Sequence, residues 1–318
     1  MFASHNWPRW GNARIREVLR AQRDIYANLN NQVLHLANEG VTINEIHNVY
    51  QVPESLARQW SVRQYHGSEF HNARAVINRY LGYWDGNPAT LMPLSPRDSA
   101  PLYVEMMGGP DKILARGREL YEQGEYRLGM EIVNKLVYAE PENTAARHLL
   151  ADIFEQLGYQ AESASVRNVY LAAARELRAG IPRGTHADTG GSELARALTT
   201  GQWWEAVAIR VDSRKADGLE FVINFVTPDN GQRFVIEMSG GTLTSIEGYS
   251  AADADAEIHI DRAALEPAIM GRTTLAALLA EGKGVVTGNS TVLMQLASTL
   301  VKFDPEFEIM PGTARPTP

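Results

Sequence analysis

Tyr121-Glu122-Gln123-Gly124-Glu125-Tyr126 and Glu155-Gln156-Leu157-Gly158-Tyr159 place two glycines 34 positions apart, the period of a tetratricopeptide-type helix pair. Each glycine is expected to end a helix. Ile113, Leu114, Leu120 and Tyr121 before the first, and Leu128, Ile132, Leu136 and Val137 after it, recur at three-to-four spacing, the signature of amphipathic helices. Ala139-Glu140-Pro141-Glu142-Asn143 breaks the pattern because proline has no amide for a continuing helix. Ala145, Leu149, Leu150, Ile153 and Phe154 begin a third helix, and Ala161, Val166, Val169, Tyr170, Ala173 and Leu177 mark a fourth. So short a stack cannot bury both outer faces. It is either a spacer capped by its neighbours or a self-association surface.

Upstream, Ser4-His5-Asn6-Trp7-Pro8-Arg9-Trp10-Gly11 carries two tryptophans before the first helix, and large aromatics need a surface to pack on. Asn12 is expected to cap a long helix bearing Ile15, Val18, Leu19, Ile25, Tyr26, Leu29, Val33, Leu34 and Leu36, ended by Gly40. Thr42-Ile43-Asn44-Glu45 has the capping-box pattern, predicting a helix from Ile43. Pro53 is expected to open the next, and Ser68 to cap a helix carrying Ala73, Val76, Ile77, Tyr80 and Leu81, closed by Gly82. Tyr83-Trp84-Asp85-Gly86-Asn87-Pro88 reads as a turn, and Pro93, Pro96 and Pro101 as extended chain.

Downstream, Arg178–Glu193 is rich in Gly, Pro, Thr and Asp and reads as a linker. The period then moves towards two. Leu219–Phe225, a turn at Pro228-Asp229-Asn230-Gly231 and Arg233–Met238 predict a hairpin. Thr242–Ile246, Ala256–Ile260 and Gly284–Asn289 read as strands, with Asp261 capping a helix through Leu265 and Ile269, another through Leu275 and Leu279, and a last one through Val292, Leu296 and Leu300. Helices on one side of an antiparallel sheet make an α+β domain. The expected fold is therefore multidomain: an all-α tetratricopeptide-like region, then an α+β domain.

A chain of 318 residues, 44% hydrophobic and 21% charged, holds enough apolar material for two cores. Its net charge of −8 is dispersed, with no basic stripe interleaved with aromatics, which argues against a nucleic-acid partner. No apolar run approaches a membrane span, and Met1-Phe2-Ala3-Ser4-His5 lacks the features of a signal peptide. The absence of cysteine excludes disulfides and thiolate ligands, and leaves the compartment open.

The histidines are His5, His35, His47, His66, His71, His148, His186 and His259, and none is spaced for a metal. His66 and His71 bracket a helix start near Asn72 and could share a cleft, although such histidines are commonly polar caps. No nucleophile elbow, phosphate loop or dinucleotide fingerprint is present. The residues alone give no complete catalytic constellation.

The ordered strings Ser4–Asn12, His71–Val76, Leu81–Pro88, Leu136–Pro141, Glu155–Ser163 and Arg167–Leu171 together resemble the bacterial linear alkyl sulfatases, along essentially the whole chain. That resemblance implies a zinc domain of metallo-β-lactamase fold, then a helical dimerisation domain, then a domain similar to sterol carrier protein type 2. Residues 1–11 would be the tail of the zinc domain, 12–180 the dimerisation domain, 181–191 a linker and 192–318 the sterol-carrier-like domain. His5 resembles the family's last zinc histidine, and Asn6 stands where a second histidine is often expected. The family's His-x-His-x-Asp-His string does not occur. Intact members imply zinc-assisted sulfuric ester hydrolysis, with Asn72, Arg79 and Tyr80 bordering the substrate. One histidine is too few for an open zinc site, which takes about three protein ligands.

The expectation is the back part of a truncated or split enzyme, holding no tight zinc and inactive alone. It would form a homodimer through its helices, with a separate catalytic chain as a further partner. Phe221, Phe225, Phe234, Leu275, Leu293 and Leu296 would line a tunnel for an alkyl sulfate or fatty chain. A lipid-binding and dimerisation module without catalysis is the alternative.

Overall fold

In a computed structural model of the chain, residues 1–5, 7–182, 184 and 192–314 are described, with the side chains of Ser192, Leu194 and Ala195 excepted. Asn6, His186 and most of the expected linker lie outside them. The chain forms two compact units, Met1–Pro182 with Phe307–Pro318, and Arg183–Glu306.

The helical unit opens with α1 (Asn12–Asn38), α2 (Ile46–Val49), α3 (Glu54–Ala57) and α4 (Glu69–Leu81). Asn12 is the first helical residue instead of the cap, a place taken by Gly11. The capping-box expectation at Thr42 is only half met: Glu45 accepts from the Thr42 amide, but the threonine hydroxyl donates to the same carboxylate, and helix begins at Ile46. A hydroxyl that gives its proton to Glu45 does not cap an amide. Val33, Ile46, Ala73 and Ile77 seal a small core between α1, α2 and α4.

A second core belongs to α5 (Pro96–Met106), α6 (Pro110–Glu122), α7 (Tyr126–Ala139), α8 (Thr144–Gln160) and α9 (Ala164–Ala179). The expectation of extended chain at Pro96 and Pro101 is corrected here. Pro96 occupies the first turn, where its missing amide costs nothing, and Ser95 caps the helix by accepting from the Asp98 amide at 3.2 Å. Asn143 and Ser163 cap α8 and α9 in the same way. Gly124 ends α6 with φ of +78°, as its position predicts. Gly158 instead lies buried within α8, where an added Cβ would come within 2.9 Å of Leu171 Cδ2, so it is a close-packing residue between α8 and α9. Val133, Leu136, Val137, Leu150 and Ile153 are fully buried here, each worth about 1.5–3 kcal/mol over exposure.

The sheet unit begins with three helices that the strand pattern did not announce: α10 (Ser192–Ala197), α11 (Thr200–Ile209) and α12 (Ser213–Ala216). Thr199 and Gln202 form a full capping box on α11. Strands β1 (Phe221–Thr227), β2 (Gln232–Ser239), β3 (Thr242–Glu247), β4 (Ala256–Ile260) and β5 (Gly284–Gly288) make one sheet in the order β3-β2-β1-β4-β5. The sheet is mixed, not antiparallel throughout, because β4 runs parallel to β1 with Phe225 beside Ile258. Two polar clasps hold that pairing. Asn224 exchanges two 2.8 Å hydrogen bonds with the Ala251 backbone, and the Val222 amide donates to Asp255 at 2.8 Å. Helices α13 (Glu266–Ile269), α14 (Leu275–Ala280) and α15 (Thr291–Thr299) complete the unit. Alternate residues Phe221, Ile223 and Phe225 face Trp203, Trp204, Leu265 and Leu296 in its core. Asp261 makes no side-chain cap; Asp229, from the hairpin turn, accepts the Arg262 and Ala263 amides instead.

Candidate functional site

Helix α4 carries the residues of interest in the helical unit. Ser68 precedes it without a side-chain cap, and Glu69 occupies its first turn, where the helix dipole favours an acid. Asn72, Arg79 and Tyr80 are exposed on it. Asn72 and Arg79 are two turns apart and so share a face. All three line one shallow groove of about 350 Å³ with Tyr26, Asn30 and Val76. Asn72 also borders a deeper cleft of about 430 Å³ with His5, Tyr26, Tyr50, His66 and Glu69. The sequence-predicted substrate residues and His5 therefore lie in adjoining recesses that meet at Asn72 and Tyr26.

His5 and His66 stack, ring centroids 4.4 Å apart and planes within 10°. The loop bearing His66 is fixed from α9: the Ser163 hydroxyl donates to the His66 carbonyl at 2.6 Å and the Ala164 amide to the Tyr65 carbonyl at 3.0 Å. The segment bearing His5 is held by Arg9, whose guanidinium lies 3.7 Å from the centre of the Trp60 ring. Trp7 and Trp10 remain about three-quarters exposed, at 76% and 75%. His71 shares a third recess with His66, Asn72, Ser163 and Tyr170. His66 and His71 do converge on one recess, and the sequence signal was their bracketing of the α4 start.

Two groups at the deeper cleft, Tyr50 and Glu69, are shifted towards their protonated forms. Burial, reinforced by the Glu69 carboxylate, pushes the Tyr50 phenol up to about 12, so it remains a donor, and it hydrogen-bonds Asn28 at 3.1 Å. Burial also raises the Glu69 carboxyl above its ordinary range, opposed by a hydrogen bond from Gln64 and reinforced by Glu162. Amide, phenol and imidazole groups around an open recess can bind a polar oxyanion head, with Tyr26, Leu29 and Val76 along an attached chain.

They do not make a zinc cage. Imidazole lone pairs lie in the ring plane, so two parallel stacked rings do not converge on one ion. Among the described residues no group of three or more His, Cys, Asp or Glu side chains could hold a metal. Among the described residues, His5 belongs to no such group.

The sheet unit has its own cavity, about 340 Å³, between α11, α14 and α15. Leu275, Leu293 and Leu296 line it as expected, together with Trp203, Trp204 and Arg210. Phe221, Phe225 and Phe234 are instead sealed in the core at 3%, 0% and 1% exposure. No described helix is long and apolar enough to cross a membrane.

Residues 42–180 match the family model described as alkyl sulfatase dimerisation, and residues 188–312 the one described as alkyl sulfatase C-terminal. A linear primary-alkylsulfatase of Pseudomonas sp is 39% identical over 310 residues, 98% of this chain and 46% of that protein. An (R)-specific secondary-alkylsulfatase of Pseudomonas sp is 39% identical over 311 residues, covering 98% and 47%. The solved structure of a stereoselective inverting sec-alkylsulfatase from Pseudomonas sp. superposes with a TM-score of 0.88 at 40% identity, over 96% of this chain and 48% of that one. The chain spans about half the length of the curated relatives it matches.

Proposed function

The chain belongs to the alkyl sulfatase family, of which it carries the dimerisation and C-terminal domains, and on that premise we propose that it is the dimer-forming, alkyl-chain-handling portion of such an enzyme. In this reading the metal-binding side chains for sulfate-ester hydrolysis lie outside these 318 residues. His5, Asn72, Arg79 and Tyr80 form the border that this portion presents to the substrate. One observation carries the reading: the similarity runs over 98% of this chain yet reaches only 46% of the relative's length.

The test is metal content and hydrolysis. The 318-residue chain is expected to retain no stoichiometric zinc and to leave a linear alkyl sulfate intact, with turnover appearing when a polypeptide bearing His-x-His-x-Asp-His is supplied. Two tightly held zinc ions per chain, or turnover by the chain alone, would refute it.

A second reading, a stand-alone alkyl-chain binding module, draws on the leucine-lined cavity of the sheet unit with Arg210 among its walls. An arginine at a recess lined mainly by apolar side chains, with Thr273 and Thr274 beside them, suits an amphiphile with an anionic head. Calorimetric titration with a long-chain alkyl sulfate is expected to show saturable binding that Leu296→Trp, which fills the cavity, weakens about tenfold or more. Absence of heat and of any thermal shift would set this reading aside.

A further inference from the structure

After the sheet unit the chain returns to the helical unit, and the returning segment is read in detail. Glu176 on α9 is only 8% exposed. One of its carboxylate oxygens accepts from the Ile309 amide at 2.8 Å, the Met310 amide at 2.9 Å and the Thr313 hydroxyl at 2.6 Å. Arg147 on α8 donates to the Gly312 carbonyl at 2.6 Å. Met310, 8% exposed, enters the core beside Val104, Leu136 and Leu177. Arg97 on α5 pairs with Glu308 at 2.6 Å. Gly312 has φ of +74°, and a Cβ there would sit 2.3 Å from the Pro141 carbonyl oxygen.

These contacts discriminate among side chains as well as backbone. A buried carboxylate is costly unless its oxygens are satisfied, and among the described residues every hydrogen bond to the Glu176 side chain comes from this one segment. The neighbouring hole needs a long apolar side chain, and the approach to Pro141 needs glycine. Paired amides, a pocketed anchor and a glycine-only contact together select one short peptide held in a turn, which the Thr313 hydroxyl closes against the Met310 carbonyl at 2.6 Å.

We infer that the helical unit contains a peptide-docking site formed by Glu176, Arg147 and the core around Met310, and that Glu308–Thr313 is its cognate ligand, delivered by the same chain. The site is independent of the hydrolase reading, since neither the α4 recesses nor the sheet-unit cavity takes part.

The test uses the full chain with a protease site placed between Phe303 and Asp304, in an exposed stretch. After cleavage the tail is expected to co-elute with the body on size exclusion, and to be replaced saturably by a labelled synthetic peptide of residues 305–314. Glu176→Gln and Gly312→Ala chains should release the cleaved tail about tenfold more readily, since charge-assisted hydrogen bonds are among the strongest in proteins. A tail that separates while the melting temperature stays unchanged would overturn the inference, as would equal retention by Glu176→Gln. Because those variants also risk the fold, hydrogen exchange on the uncleaved native chain gives an independent reading. Ile309 and Met310 amides should be protected as well as those in α8, and exchange at the rate of an open loop would overturn the proposal.

Discussion

His47 sits with Phe70 at 4.0 Å between ring centroids, and its buried Nδ1 has no hydrogen-bond partner among the described residues. Burial, then the charges of Arg127 and Arg74, lower its pKa. The folded chain thus resists protonating His47, whereas the unfolded chain takes a proton near the ordinary imidazole value of about 6.5. Stability held above that value is lost as pH falls towards the folded pKa. His47→Gln is accordingly expected to flatten the fall of melting temperature between about pH 7 and 5, measured by thermal scans across that range. Gly117 gives a sharper test: an added Cβ would meet Val133 Cγ2 at 2.5 Å and Leu149 Cδ2 at 3.1 Å, all in a packed core. Gly117→Ala should cost about 1–3 kcal/mol in denaturant unfolding. Glycine roles mark the limit of a single sequence, since Gly124 and Gly158 share a period but one turns the chain and the other admits a neighbouring helix. Whether a helical glycine is buried depends on what crosses it. The stacking of His5 on His66 is illegible for the same reason, as it joins residues far apart in sequence through a third element, α9.

At the level of elements, period and punctuation located α6 to α9 and all five strands closely, because burial on one face imposes a spacing that survives in the sequence. Capping was read less well. Thr42 and Asp261 look like caps, but a carboxylate within reach redirected the first, and Asp229 from a distant turn replaced the second. Asp229→Ala is expected to cost about 1 kcal/mol and to loosen the segment after β4, detectable as faster amide exchange at Arg262 and Ala263. Asn143, whose side chain accepts the Ala146 amide at 3.0 Å, should lose a comparable amount in Asn143→Ala. The prolines of α5 misled because two of them suggest extension, while one at the first turn starts a helix at no cost. Parallel pairing of β4 was hidden too, because alternation reports a face and not a direction; of the two clasps that hold it, Asn224 is a polar residue in an apolar run and Asp255 is one of the acids just before β4.

For the molecule as a whole, the match of residues 42–180 to a dimerisation domain leads us to expect a two-subunit mass by light scattering at micromolar concentration; a single-subunit mass would count against self-association through the helices. The recess shared by His66, His71 and Asn72 was legible in how the two histidines bracket the start of α4, and the groove of Asn72, Arg79 and Tyr80 only through resemblance. Their position beside His5 is a tertiary fact. The return of Met310 to the helical core bears on biogenesis. A ribosome makes α5 to α9 first and the whole sheet unit before Met310 emerges, so the earlier-made helices wait, with a vacancy in their interior, while a later-made body can already mature. Order of synthesis and order of completion are therefore reversed, and a nascent chain arrested before residue 310 would offer chaperones an unfinished first half attached to a finished second one.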